Sequence, residues 1–190
     1  GDAYMALNRY PEALAAYREA SARLREAGMP YDQARALWGA GTALLAQSQL
    51  DAAARALDEA TDLFRTTGNL ALLSGVLLER SALLAQRHDI AGARSLAAQA
   101  LAFVASQDLP VQQFYAHLRL ADLHRQDLGA AERHLDAARR IAEAIPLPQV
   151  LFRLHQRLGH LRLRQGRTAE LAELLLSATA YIERVRGSVA

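Results

Sequence analysis

The 190-residue sequence carries 22 basic residues, all arginine, against 20 acidic ones, for a formal net charge of +2, and it contains no cysteine. The missing thiols exclude cysteine catalysis, thiolate metal sites and disulfides; so balanced a charge gives no ground for a polyanionic partner; and nothing approaches the roughly eighteen uninterrupted apolar residues of a membrane span. Abundant Ala and Leu with few aromatic or β-branched residues form a helical composition, and the exclusive use of arginine reads as the mark of a GC-rich bacterial genome.

In chain order, the first residue is Gly rather than Met, so the amino terminus reads as cut from a longer protein, with a truncated helix followed by its partner over residues 11–27. Gly28 with Pro30, and later Gly68 with Asn69, stop helices, because glycine takes the left-handed position after a helix end and proline cannot continue a helix. Helix pairs follow over 31–47 with 51–66, 70–87 with 90–106, 110–126 with 128–144, and 148–165 with 168–186. Asp51, Asp89, Asp127 and Thr168 stand where an N-cap oxygen would satisfy the first free amides of the second helix.

The pairs are copies of one unit. Ala20, Ala60 and Ala100 are forty residues apart, a step of thirty-eight leads to Ala138, and forty returns at Ala178. In the same register fall Tyr10, Leu50, Ile90, Leu128 and Thr168, and then Ala13, Ala53, Ala93, Ala131 and Leu171. A row of small residues, Gly1, Gly41, Ser81, Ala121 and Gly159, lets the two helices of a pair approach closely. The short step places a two-residue deletion in the turn between Ala121 and Leu128, with the helices intact. Self-similarity at this period defines a solenoid, in which each unit buries its apolar face by stacking on the next. The expected fold is an all-α, right-handed α-solenoid of antiparallel helix pairs. It forms a single array with units near 1–29, 30–69, 70–109, 110–147 and 148–190.

The pattern Gly41, Leu44, Leu50, Ala53, Leu57, Ala60, repeated as Leu158-Gly159, Gly166 and Ala178, resembles the tetratricopeptide repeat, with forty residues in place of the usual 34. Trp38 falls one position after the family's tryptophan, whose packing place Leu37 takes. Residues 180–188 resemble the last helix of bacterial arrays that run into a CHAT protease domain; similar arrays occur in large ATP-dependent, LuxR-type transcription regulators. The resemblance implies a non-enzymatic scaffold or sensor module that binds a protein or peptide or regulates a flanking domain of its own chain; with no cysteine to mark a redox compartment, the cytoplasm is the default location. It also implies a concave groove lined by the first helix of each pair, here Met5, Arg35, Trp38, Thr42, Leu45, Leu78, Ala82, Tyr115, Leu118, Asp122, Arg125, Arg153, Gln156, His160 and Arg164.

The residues themselves carry no enzyme constellation. His117 and His124 are seven apart on one expected helix, about 10 Å of rise, too far for a shared zinc. Neither a zinc-protease helix motif nor a glycine-rich phosphate loop is present, so no cofactor or metal is implied. Asp58, Glu59 and Asp62 read as a solvated helix face. Two features suit a partner. Trp38 stands off the Leu37–Ala40–Leu44 face beside Leu45, as an aromatic platform or as packing against the next pair. Arg153, Arg157, His160 and Arg164 recur along one line of a helix, a stripe suited to an acidic or C-terminal-carboxylate peptide. Single-stranded nucleic acid is disfavoured, because only Phe152 and Tyr181 could supply stacking beside that charge.

Overall fold

A computed structural model describes residues 1–145, 147–174 and 176. The described residues contain no strand. They form helices α1 (Asp2–Ala6), α2 (Tyr10–Glu26), α3 (Pro30–Ala46), α4 (Leu50–Thr66), α5 (Leu70–Gln86), α6 (Ile90–Ser106), α7 (Pro110–Leu123), α8 (Leu128–Ala144) and α9 (Pro148–Arg164), and residues 168–174 are helical as well. The expected all-α architecture of consecutive helix pairs is the one observed. Ala178, and the segment 180–188 likened to a helix preceding a protease domain, lie outside the described residues.

The forty-residue period is two half-units of twenty. Helices α2 to α6 each span 17 residues, and three-residue linkers separate them. The central linker residue has positive φ every time: Asn8, Gly28, Ser48, Gly68, His88 and Asp108, and again Gly166 after α9. This left-handed residue turns the chain so that the next amide reaches back to the helix, as in Met29 N–H to the Leu24 carbonyl and Gln49 N–H to the Leu44 carbonyl, each 2.9 Å.

Helix starts follow simple chemistry. Pro30, Pro110 and Pro148 each begin a helix, where a missing N–H costs nothing. Asp89 and Asp127 cap α6 and α8, accepting from the amides of Gly92 and Ala130 at 2.8 and 2.9 Å; Asn69 does the same for α5 through Leu72 N–H at 3.0 Å. Asp51 and Thr168 are corrections to the sequence reading. Gln49 holds the cap position of α4, leaving Asp51 inside the first turn to pair with Arg87, and Thr168 is already helical.

The two-residue deletion also falls differently from expectation. Helix α7 has 14 residues, three fewer than its counterparts, and the turn behind it, 124–127, has four residues in place of three. The helix therefore lost its last turn while the loop grew, because a four-residue turn capped by Asp127 still satisfies the chain ends.

The chain divides into two compact units, Gly1–Gln112 and Gln113–Ala190. In the first, α2 packs on α3, α3 on α4, α4 on α5 and α5 on α6, around the fully buried Leu57, Phe64 and Val76 and the Ala13, Ala53 and Ala60 rows. The second centres on Phe114, Leu135, Ala138, Val150 and Leu154. Burying each large apolar side chain stabilises by roughly 1.5–3 kcal/mol, and the alanine rows set how close the helices come. The small-residue row works as expected within pairs. A β-carbon on Gly41 would stand 2.6 Å from a Leu57 methyl, and the Ser81 hydroxyl donates to the Ala93 carbonyl at 2.8 Å.

Candidate functional site

The second unit contains a cleft of about 640 Å³ lined by Ala121, Asp122, Arg125, Ala131, Leu135, Arg157, His160, Leu161 and Arg164. Its apolar floor comes from α8, where Leu135 is buried beneath the opening. Its rim is cationic, because α9 presents Arg157, His160 and Arg164 on one face, three or four residues apart, while Leu154, Leu158 and Leu161 face the core. Arg125 joins them from the turn after α7.

Two contacts fix this rim. The Nε of Arg157 lies 2.8 and 3.1 Å from the two carboxylate oxygens of Asp122, with both side chains about one-third exposed. The guanidinium of Arg164 donates to the backbone carbonyl of Arg125. Arg153, the fourth residue of the stripe, is drawn elsewhere and sits over the ring of Tyr115, 5.7 Å from its centroid. The ring of Tyr115 in turn meets Phe114 edge to face at 5.3 Å. Arg153 and Tyr115 thus form a stacked pair outside the lining of the cleft.

The expected apolar groove residues are largely internal. Leu45, Leu78 and Leu118 retain 5, 7 and 5 % of their accessible surface, so they serve helix packing. Trp38 is half-buried against the first unit's core. Its indole meets Phe64 at 6.4 Å, nearly perpendicular, and lies against the backbone of Gly75 on α5. It packs on the next pair, as the second of the two readings had it, and its remaining surface borders a shallow cleft with Tyr17, Asp32 and Arg35. Of the carboxylates read as a solvated helix face, Asp58 pairs with Arg80 at 3.0 Å, Asp62 lies 3.5 Å from Arg65, and Glu59 accepts from the buried Gln33 at 3.2 Å.

Two clusters in the second unit bring together side chains that the sequence alone does not pair. Arg162, only 8 % exposed, bonds Glu132 at 2.6 Å and Glu170 at 3.0 Å, while Arg167 reaches Glu132 at 3.1 Å. The guanidinium of Arg162 holds the Glu132 carboxyl below the usual carboxylate range. The other cluster is of imidazoles. Nδ1 of His117 faces Nδ1 of His134 at 3.1 Å, and the ring of His124 stacks on His134 at 5.6 Å. Burial, reinforced by His117, His124 and Arg133, pushes His134 down to about 4, and burial with Arg140 lowers His117. His117 and His134 lie equally far on either side of the 124–127 turn. That arithmetic was the one sign of their meeting. Among the described residues no group of three or more side chains is arranged to hold a metal ion.

The helix pairs, the left-handed linkers and the small-residue seams now bear on identity. Residues 1–66 match the tetratricopeptide repeat. The match ends with the last residue of α4. No curated protein matches the chain. Among solved structures, the TPR-like fold is shared with BtubC (BKLC) from P. vanneervenii, at 16% identity and a TM-score of 0.66, over 99% of this chain and 77% of that one. It is shared as well with a putative kinesin light chain of nearly identical TPR-like repeats from Podosopora anserina, at 16% identity and a TM-score of 0.63, over 97% and 92% of the two chains. A singly substituted form of that protein gives 0.65 at the same identity and coverage. These likenesses establish the fold. TPR-like repeats generally serve protein–protein interaction, and no helix of the described residues is long and apolar enough to cross a membrane.

Proposed function

We propose that the chain is a protein-interaction module of a larger bacterial signalling protein, and that the cleft of the second unit takes an acidic segment of a partner. One observation carries this reading: three arginines and a histidine from α9 and the α7–α8 turn converge on one cleft with an apolar floor. Arginine forks grip carboxylates in two-point contacts, and the leucine and alanine floor accommodates the aliphatic stem beside the acid. Leu118 supports this surface from within, in the core on which α7, α8 and α9 pack. The partner is a separate protein or a flanking domain of the same chain. Such a chain acts by holding its partner, without catalysis.

The test compares partner capture by the unaltered chain with an Arg157→Ala/Arg164→Ala variant and with Arg153→Ala. Capture should fall with the double variant and persist with Arg153→Ala. Equal recovery by all three would refute the cleft.

A further inference from the structure

Charge in the cleft is unevenly shared. At one end Arg157 is neutralised by Asp122. At the other, Arg164 and Arg125 come together through the Arg125 carbonyl, and their guanidinium groups have no carboxylate partner among the described residues. His160, one helical turn from Arg157 and from Arg164, adds a ring nitrogen between the two ends. The site therefore presents two arginines without a carboxylate partner at one end and a neutralised Arg157–Asp122 pair at the other.

Resting on the acidic-segment reading, we propose that the Arg125–Arg164 end of this cleft receives the phosphoryl group of a phosphorylated serine or threonine on the partner. A single carboxylate carries one negative charge and two oxygens in one plane, which leaves one of the two arginines unanswered. A phosphomonoester carries about −1.5 to −2 at neutral pH and three acceptor oxygens, so it matches both arginines at once and leaves an oxygen for His160. The charge geometry also disfavours a run of acidic residues. A second acid in a continuous run would meet an arginine already held by Asp122, whereas one dianion followed by a neutral backbone leaves the Asp122–Arg157 pair undisturbed. The Arg125 carbonyl does not oppose the anion, because Arg164 already occupies it.

The experiment is an NMR titration of the uniformly ¹⁵N-labelled chain with three synthetic pentapeptides, Gly-Gly-X-Gly-Gly, in which X is phosphoserine, glutamate or serine. The phosphoserine peptide should shift resonances of α9 and the 124–127 turn and bind at least about tenfold more tightly than the glutamate peptide, the difference one further charge-assisted contact makes. Arg125→Ala and Arg164→Ala, each checked for an intact spectrum, should each remove that preference, and Arg153→Ala should retain it. Equal binding of phosphoserine and glutamate peptides at the cleft would overturn the phosphoryl assignment and leave the acidic-segment reading standing. Shifts from neither peptide would overturn both. A preference that survives both arginine variants, or displacement of the phosphoserine peptide by single-stranded DNA at equal concentration, would overturn the assignment by placing the anion elsewhere or in a nucleic acid.

Discussion

The indole of Trp38 on α3 lies against Gly75 on α5, so closely that a β-carbon at Gly75 would stand 2.5 Å from its Cη2. That contact joins two successive helix pairs of the first unit. Replacing Gly75 by Ala should gain about 1 kcal/mol of helix propensity and lose roughly 1–3 kcal/mol to overpacking. Because the indole is wedged against Phe64, the loss should win. Urea melts followed by the fluorescence of this single tryptophan should show a lower midpoint and a shifted emission maximum. A higher midpoint would show that Trp38 moves aside freely.

The linkers predict a second pattern. Ser48 holds φ of 57° and His88 holds 66°, positions that glycine fills at 28, 68 and 166. A left-handed conformation costs a residue with a side chain roughly 1–2 kcal/mol. Glycine removes that strain but loses more entropy on folding. Ser48→Gly should therefore stabilise the first unit by somewhat under 1 kcal/mol, and Gly68→Ala should destabilise it by about 1 kcal/mol. Chemical denaturation of the two variants side by side checks the signs, which must be opposite.

Arg162 sits at the centre of an ion-pair network reaching Glu132 on α8 and Glu170 beyond α9. Arg162→Ala should destabilise the second unit by roughly 2 kcal/mol, less than a fully buried pair would cost, because Glu132 keeps Arg167 and some contact with solvent. Hydrogen exchange of α8 and α9 amides should accelerate in the variant while α2–α5 amides stay unchanged. Uniform acceleration would contradict a local role.

Acid should act on the same unit through His117 and His134. Both have lowered folded values, His134 at about 4, against about 6.5 in an unfolded chain. The unfolded chain then binds more protons, so the histidine contribution is complete above about pH 6.5 and declines as pH falls toward 4. The Glu132 carboxyl, lowered by Arg162, loses its own contribution only below the ordinary glutamate range. Denaturation of α7–α8 between pH 7.5 and pH 5 should therefore be eased in the unaltered chain and much less so in a His117→Gln/His134→Gln variant. A pH slope of the same size in the variant would exclude the imidazole pair.

Periodicity made the fold legible. Every helix start from Tyr10 to Pro110 falls within one residue of its place in the forty-residue register, because each unit packs only on its neighbours and so keeps its own pattern. The stripe on α9 could be drawn for the same reason: residues three and four apart share a helix face whatever surrounds them.

What is local can be read along the chain: helix pairs, left-handed glycine stops, proline starts, and the line from Arg153 to Arg164. How that line divides depends on the folded arrangement. Arg153 goes to Tyr115, Arg157 to Asp122 and Arg164 to the carbonyl of Arg125, and residues 35 and 39 apart meet in two of these pairs. The same arrangement turns Leu45, Leu78 and Leu118 inward while Trp38 packs on Gly75. The reason is that helical periodicity fixes the direction of a side chain around its own axis, whereas its partner depends on which neighbouring helix arrives there and how closely small residues let it come.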